Sequence, residues 1–349
     1  MRLQRFAPQL RRVGGLGLSL AVGCYLVGLA TWLALWQLAG DATWWLFTLN
    51  ALAVYLFVPL PLALAIAALR RKPALIAGSV AAALAFVWLW GGLFWPDGRP
   101  QPDGPVLTVM TYNLLGSNPD PSGVLDALLE SDADVIGLVE LSPRVAAAIE
   151  DGLAAEYPYR LLAPQGDTSG SGVISRLPFK RLDVSLADPD WIGAPLAVEV
   201  DFDGTPFVLI SAHSASGSAF VAARERQARL LSGFATRQEL PVIIAGDFNA
   251  LDTNESYGVM TEHMYDAWRE TGSGLGNTFP GASRDDSPGS KRPDLLGVDL
   301  PKWLIRIDYV FCSYDWQPID ARIGPWDGHS DHRPVIAEVA LRTQEYAGP

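Results

Sequence analysis

Cysteine is nearly missing from this 349-residue chain, which holds only Cys24 in an apolar stretch and Cys312 in a strand-like one. Two thiols in such different surroundings build no disulfide framework, so cysteine usage assigns no redox compartment. Histidine is scarce too, four in all, and no Cys/His cluster offers a zinc site. No glycine-rich nucleotide fingerprint and no internal repeat are present. Charge is missing from one long region. Between Val13 and Trp95 only Asp41, Arg70, Arg71 and Lys72 are ionisable at neutral pH. Beyond that region it is cations that are few. Of 26 Lys and Arg and 38 Asp and Glu, eight and two respectively fall within the first 100 residues, leaving 18 basic against 36 acidic side chains. Such a field opposes non-specific attraction to nucleic acid, which depends on Lys and Arg contacts to phosphate.

The uncharged region is long enough to meet a bilayer repeatedly. A hydrocarbon core of about 30 Å needs about 20 apolar residues in a helix, because the backbone there must satisfy its own hydrogen bonds. Three segments qualify, at about 13–38, 43–69 and 74–94, with Pro59 and Pro61 expected to bend the second. A cleaved leader would account for the first segment alone, after Arg2, Arg5, Arg11 and Arg12. Two further spans argue against it. Lys and Arg are retained on the cytoplasmic side during insertion. The four N-terminal arginines and Arg70-Arg71-Lys72 therefore face the cytoplasm, and three passes deliver the remainder outside. Trp44, Trp45, Trp88, Trp90 and Trp95 near the span ends suit an interfacial belt. Residues 1–95 thus form a membrane domain, and Pro96 to Pro105, alternating helix breakers with polar residues, a linker.

Residues 106–349 read as one large single-core domain. Apolar runs predict strands at Val106–Asn113, Val135–Val139, Gly172–Ser175, Ala197–Phe202, Phe207–Ala212, Val242–Ala245, Ile307–Cys312 and Val335–Leu341. Helices are predicted at Val124–Glu130 and Ala219–Ala235, with His263 in another. Many strands with interspersed helices define a layered α/β sandwich. Polar residues gather at the strand ends, where a sheet can hold them rigidly. Asn113 and Glu140 close the first two strands, Asp308 opens another, and Asp331 with His332 precedes the last. Asp247 and Asn249 lie two apart after an apolar run, so both side chains are expected to point the same way, with Phe248 facing the core. Carboxylates and amide oxygens suit a hard cation such as Mg²⁺ or Mn²⁺.

Thr111-Tyr112-Asn113, Val139-Glu140, Ser211-Ala212-His213, Gly246-Asp247-Phe248-Asn249-Ala250, Arg306-Ile307-Asp308-Tyr309-Val310-Phe311 and Ser330-Asp331-His332 occur in one order along about 230 residues. That ordered set resembles the endonuclease/exonuclease/phosphatase superfamily. The resemblance implies a four-layer sandwich of two β-sheets flanked by helices, here preceded by three transmembrane helices. It also implies roles. Glu140 would be the principal metal ligand, with Asn113 and Asp331 close to the ion. Asp247 would orient or deprotonate the attacking water, Asn249 would help hold the phosphate, and His332, paired with Asp308, would donate to a phosphoryl oxygen or the leaving group. His213 matches the histidine of the DNase I-like and sphingomyelinase branches. His329 and Asn277-Thr278-Phe279 are candidates for the substrate wall, and residues 166–172 and 272–300 for loops that set specificity.

The membrane half resembles that of phosphatases associated with teicoplanin resistance, which implies a substrate of the undecaprenyl pyrophosphate kind. The first expectation is thus an extracytoplasmic, metal-dependent phosphoesterase of the cell membrane, hydrolysing a phosphate ester or anhydride of a membrane lipid or its headgroup. A surface-anchored nuclease needs the same catalytic set, and a silent receptor for phosphorylated headgroups would need only part of it. Completeness of Asn113, Glu140, Asp247, Asn249, Asp308 and His332 favours an enzyme. Oligomeric state is left open.

Overall fold

A helix rises 1.5 Å per residue, so the apolar part of α1 (Leu3–Ala39), Gly15–Ala39, extends about 37 Å, and Pro73–Leu93, which contains α4 (Pro73–Trp90), about 31 Å. Both are long and apolar enough to cross a membrane. Between them α2 (Trp44–Ala51) and α3 (Leu60–Leu69) belong to a bent pair, Trp44–Ala51 and Ala53–Leu69, that meets at 64°. The break falls at Leu52, ahead of the prolines expected to cause it. Pro59 caps α3 and Pro61 lies in its first turn, where the missing N–H has no intrahelical partner to lose.

The computed structural model describes residues 3–95, 100–102, 104–119, 121–281, 294–295, 298–299, 301–325 and 329–342. Parts of the expected linker 96–105 and of the loop 272–300 lie outside these. The chain forms two compact units, Met1–Phe94 and Trp95–Pro349. Within the first, the bent pair runs back along α1. Asn50 Nδ2 donates to the Gly40 carbonyl at 3.0 Å, Trp32 Nε1 donates to Asn50 Oδ1 at 3.0 Å, and Tyr25 donates to the Leu56 carbonyl at 2.9 Å. At the far end the Arg70 guanidinium occupies the space beside Gly15, where a Cβ would lie 2.2 Å away. The next helix turns forward again. Leu75 packs by Gly23, Gly78 by Leu26, and Phe57 bridges Trp32 and Trp90. Trp44, Trp45, Trp88 and Trp95 are exposed, but Trp90 is 3% exposed and packs on Phe57 and Phe86, so it is not part of an interfacial belt.

The second unit is an α/β sandwich of two mixed sheets flanked by helices. In chain order it contains β1 (Val106–Asn113), α5 (Pro121–Glu130), β2 (Val135–Val139), α6 (Pro143–Gly152), β3 (Tyr159–Ala163), β4 (Ser171–Ser175), β5 (Phe179–Leu182), β6 (Leu196–Phe202) and β7 (Thr205–His213). Then come α7 (Val221–Ala235), β8 (Val242–Asp247), α8 (Glu255–Thr261), β9 (Tyr265–Asp266), α9 (Ala267–Thr271), the short ladder of β10 (Asp294–Leu295) and β11 (Val298–Asp299), β12 (Asp308–Cys312), β13 (Trp316–Ile323) and β14 (Val335–Leu341). One sheet has the order β13-β14-β1-β2-β4-β3 and the other β5-β6-β7-β8-β12-β9.

Alternation along each strand builds the layers. Leu107, Val109, Val135, Val173 and Val339 of the first sheet meet Val198, Leu209, Ile243, Ala245 and Val310 of the second in a central core. Their neighbours face outward. Met110, Tyr112, Ile136, Leu138 and Ile174 pack under α5 and α6, while Val208, Ile210, Ile244, Tyr309 and Phe311 pack under α7 and α8. Near one end the sheets come close, with Ser211 donating to the Leu138 carbonyl at 3.3 Å.

Candidate active site

Strand direction brings the predicted residues to that end. The parallel pairs β1–β2 and β7–β8 finish together, placing Asn113 beside Val139 and His213 beside Asp247. The antiparallel strand β12 starts there, with Asp308 directly opposite Asp247, and β14 follows Asp331 and His332 at the same edge. Behind Asp308, the buried Arg306 guanidinium pairs with Asp266 at 2.8 Å and lies 4.4 Å from the centre of the Tyr309 ring. This packing fixes where the strand begins.

Two linked groups of side chains result. His332 Nδ1 and Asp308 Oδ2 are hydrogen-bonded at 2.8 Å, and His332 Nε2 lies 3.7 Å from Asp247 Oδ2, which also sits 3.5 Å from His213 Nε2. The Asn113 amide donates to Glu140 Oε1 at 3.0 Å and to Asp247 Oδ2 at 3.1 Å, while its oxygen accepts from the Leu115 N–H. Glu140 Oε2 accepts from the Gly116 N–H at 2.9 Å. Ser330 ties the edge together, donating to the Asn113 carbonyl at 2.7 Å and accepting from the His332 N–H at 3.0 Å. The sequence reading gave Ser330 no role. Its signal is its position two residues before His332, which allows a hydroxyl to receive the following N–H.

Asn249 corrects the alternation argument. β8 ends at Asp247, and Asn249 takes a left-handed backbone with φ of +48°, so the two side chains do not continue a strand face. Asp247 Oδ1 instead accepts the Asn249 N–H at 2.9 Å, and Asn249 Nδ2 donates to the Ser214 carbonyl at 3.0 Å. Phe248 packs inward as expected. Glu140 is also left-handed, with φ of +56°, as is Leu115 at +60°. Phe279 places its ring 4.9 Å from the His332 ring, on the wall of the site. Asn277 and Thr278 hold loops, through the Trp303 carbonyl and the Ile307 N–H. His329 is half-buried, and His263 lies in an exposed turn beyond α8 instead of in a helix.

Asp247 and Asp308 are 2% and 1% exposed, which makes their charge state costly to leave uncompensated. Burial opposes a charged His332, but Asp308 and Asp247 outweigh it and raise the imidazole well above its ordinary pKa. Burial also raises Asp308, whereas at Asp247 the two imidazoles overcome burial and lower it. Asp331 is raised by burial, with Glu140 and Asp247 adding to the effect against the opposing His332. Among the described residues no lysine or arginine pairs with Glu140, Asp247, Asp308 or Asp331. Glu140 and Asp331, carboxylates with no cationic side chain paired to them among the described residues, form a donor set that fits a hard divalent cation. Ligand atoms of Asp247, Asp308 and His332 converge within 4.8 Å. Since His332 and Asp308 already satisfy each other, that trio reads as an oriented imidazole more than a cradle.

A two-sheet sandwich thus holds carboxylates and histidines together at one sheet end. Residues 110–332 match the Endonuclease/Exonuclease/phosphatase family, and the chain belongs to it. The family's enzymes are divalent-metal-dependent hydrolases of phosphoester bonds. Similar solved structures include D. rerio TDP2 complexed with a single-strand DNA product, at 19% identity and TM-score 0.53, covering 68% of this chain and 99% of that one. Truncated Caenorhabditis elegans TDP2 follows at 17% identity and TM-score 0.52, covering 68% and 98%. A family protein from Bacteroides thetaiotaomicron has 18% identity and TM-score 0.50, covering 69% and 98%. No curated protein sequence matches the chain.

Proposed function

We propose that the chain is a membrane-anchored, metal-dependent phosphoesterase that acts outside the cytoplasm on a phosphate ester or anhydride of a membrane lipid. The observation that carries this reading is the convergence of Glu140, Asp247, Asp308, Asp331, His213 and His332 at one sheet end, with no lysine or arginine paired to these carboxylates among the described residues. Glu140 and Asp331 would hold Mg²⁺ or Mn²⁺, with Asn113 steering the Glu140 carboxylate. A bound cation would neutralise charge on the phosphoryl oxygens and acidify water. Asp247, kept ionised by its two histidines, accepts the proton of the attacking water. The Asn249 amide, anchored by Ser214, helps hold the phosphate. His332, oriented by Asp308, donates to the phosphoryl oxygen or the leaving group as negative charge develops there.

Support for the location comes from the membrane unit. Its bent pair returns from Gly40 to Gly15, and the next helix runs forward again, which gives three passes when the bent pair is counted as one span. Arg70 lies beside Gly15, level with the start of the first span, and in the sequence the N-terminal arginines precede that same end. Retention of cations on the cytoplasmic side supports an orientation with that end inside and the catalytic unit outside. If only α1 and α4 crossed, Arg70-Arg71-Lys72 would lie outside, against the retention of cations.

The test is phosphate release by detergent-purified full chain from undecaprenyl pyrophosphate, a phospholipid panel and plasmid DNA, with Mg²⁺ or EDTA. Lipid turnover that needs metal and falls about 100-fold or more in Glu140→Gln and His332→Ala is expected. Cleavage of DNA alone would move the protein to the surface nucleases, and silence on every substrate would end the enzyme reading.

A further inference from the structure

Several arginines of the second unit meet carboxylates, among them Arg176 with Asp132, Arg226 with Asp188, Arg306 with Asp266 and Arg322 with Glu338. Arg333 does not. It directly follows His332, it is half-buried, and no described carboxylate forms an ion pair with it. Its Nη2 donates to the Asn277 carbonyl, and its guanidinium carbon lies 4.6 Å from the centre of the Trp303 ring. Its Nε N–H finds no acceptor among the described residues. A carbonyl dipole and a ring face replace a counter-charge only in part, and a cation drawn away from water costs stability without one.

The same contacts tie Arg333 to the wall of the site. Residues 277–281 run between it and the loop that precedes β12. The Arg333 N–H donates to the Thr278 carbonyl at 2.9 Å, the Trp303 N–H to the Pro280 carbonyl at 2.8 Å, and Asn277 Nδ2 to the Trp303 carbonyl at 2.8 Å. Phe279 of this segment lies against the His332 ring. At the segment's end, a Cβ on Gly281 would lie 2.6 Å from the Trp303 ring and 3.0 Å from both the Cα and the carbonyl oxygen of Asp331. The indole therefore spans from Gly281, packed on the Asp331 backbone, to the Arg333 guanidinium. Trp303 holds this place with a left-handed backbone, φ of +59°, which is an outlier for so bulky a residue and persists only where the surroundings enforce it.

A guanidinium without a carboxylate, stacked on an indole and one residue from the imidazole of the cluster, suits an anion of the substrate. Its planar fork meets phosphate oxygens in pairs, and stacking keeps that fork in one orientation. Consecutive Cα atoms lie about 3.8 Å apart, so the groups at His332 and Arg333 belong to one short stretch of substrate. The anionic group nearest to a phosphoryl group is a second phosphate joined to it. Neither a simple monoester nor a diester carries one.

We propose that Arg333, stacked on Trp303, binds the second phosphate of a diphosphate whose terminal phosphate is attacked at the Asp247–His332 cluster. This rests on the phosphoesterase reading and selects the anhydride within it. Arg333 then sets which bond is cleaved, while the sheet end performs the hydrolysis.

Farnesyl diphosphate and farnesyl monophosphate share one chain and differ by that phosphate, while bis(p-nitrophenyl) phosphate is a diester without it. Water adds to the terminal phosphorus of the diphosphate, the bridging P–O bond breaks, and orthophosphate and farnesyl monophosphate leave. With the full chain in detergent and Mg²⁺, the wild type should favour the diphosphate in kcat/KM. Arg333→Gln should lower the ratio of diphosphate to diester kcat/KM by about 10-fold or more, the loss expected for a hydrogen bond to a charged group. An equal fall on every substrate would make Arg333 a positioning residue for residues 277–281 and overturn the proposal. So would a wild type that cleaves the diester and the monophosphate but not the diphosphate. Should Arg333→Gln not fold, Arg333→Lys decides: it keeps the charge and loses the fork, so a several-fold fall in the ratio supports the subsite and an unchanged ratio refutes it. ADP separates the sources of a diphosphate, since Arg333-dependent cleavage of ADP alone retains the subsite and assigns it to a nucleotide. If none of these compounds is cleaved, the phosphoesterase reading fails by itself. Calorimetric binding of methylenediphosphonate to wild type and Arg333→Gln then decides the subsite separately: weaker binding in the variant supports it, equal binding refutes it.

Discussion

Replacing Gly246 by alanine should disable the site without touching any group that does chemistry. A Cβ at Gly246 would lie 1.8 Å from the Ala212 carbonyl oxygen, 2.9 Å from its carbon and 3.1 Å from its nitrogen. All three are backbone atoms of the adjoining parallel strand, so no side chain can swing aside. A C···O contact relaxes near 3.3 Å, and β7 and β8 must therefore part by about 1.5 Å. The next residue on each strand is His213 or Asp247, now 3.5 Å apart, and one turn later Asn249 bridges to Ser214 at 3.0 Å. Both contacts would be lost. Overpacking and broken ladder bonds together cost about 3–5 kcal/mol, or roughly 10 °C of unfolding temperature for a domain of this size. A displacement of about 1 Å at reacting groups costs on the order of 100-fold in rate. Thermal unfolding and kcat/KM on a soluble diester measure the two effects. Gly258→Ala is the control, because nothing lies within 4 Å of its Cβ position in α8, and helix propensity favours it by up to about 1 kcal/mol. A Gly246→Ala protein with wild-type unfolding temperature and kcat/KM would refute the reasoning.

Asp308→Asn removes the carboxylate 2.8 Å from His332 while keeping its shape. Loss of the orienting charge should lower kcat/KM by about 100-fold or more and, as one partner of a buried pair, cost about 3–5 kcal/mol of stability. A variant with wild-type turnover would reduce Asp308 to a strand end. Arg226 of α7 clamps the β5–β6 loop by pairing with Asp188 at 3.1 Å and with Asp190 at 2.7 Å, and this clamp should depend on pH. Burial alone would raise Asp188, but the Asp190 N–H, Arg226 and Gln227 outweigh it and hold its pKa below the ordinary carboxylate value. A depressed folded-state pKa stabilises the clamp above the unfolded value, about pH 4, and that stabilisation is lost as pH falls through the folded one. Limited proteolysis within residues 183–195 should therefore stay slow at pH 5 and quicken only below pH 4, whereas Arg226→Ala should be cut readily at pH 5. Equal cutting of both proteins at pH 5 would show that the clamp is not electrostatic.

What the sequence left unread is confined largely to the sheet edges. Central strands such as β2 and β8 are buried on both faces and read as unbroken apolar runs. Apart from the short β10–β11 ladder, the strands that went unrecognised, β3, β5, β9 and β13, are the four outer strands of the two six-stranded sheets. An edge strand is paired on one side only, so it need not be apolar, and Phe179-Lys180-Arg181-Leu182 shows mostly partial or full exposure. β13 hides further behind Pro318, which a central strand could not tolerate. The ladder shifts register between Pro318 and Asp320, the kind of irregularity at which proline is accepted. Helix α6 was missed for a different reason, since its short apolar stripe of Val145, Ala146 and Ile149 is as brief as a turn.

The site itself shows where period-two reasoning stops. Alternation located Asn113, Asp308 and the end of β8 correctly because those residues belong to strands. Glu140 and Asn249 lie one and two residues past strand ends, and both take left-handed backbones, as does Leu115. For a side chain with a Cβ that conformation costs about 1–2 kcal/mol, and nothing in the residue types announced it at Glu140. The cost is met by contacts made only at this edge. Gly116 and Asn113 grip the Glu140 carboxylate, and Asp247 and Ser214 hold Asn249 by its backbone and its amide. A strand that simply continued would have turned Glu140 away from Asn113. The left-handed residue reverses it, so a side chain that alternation would assign to one face is delivered to the space between the sheets, where Asp247 already points.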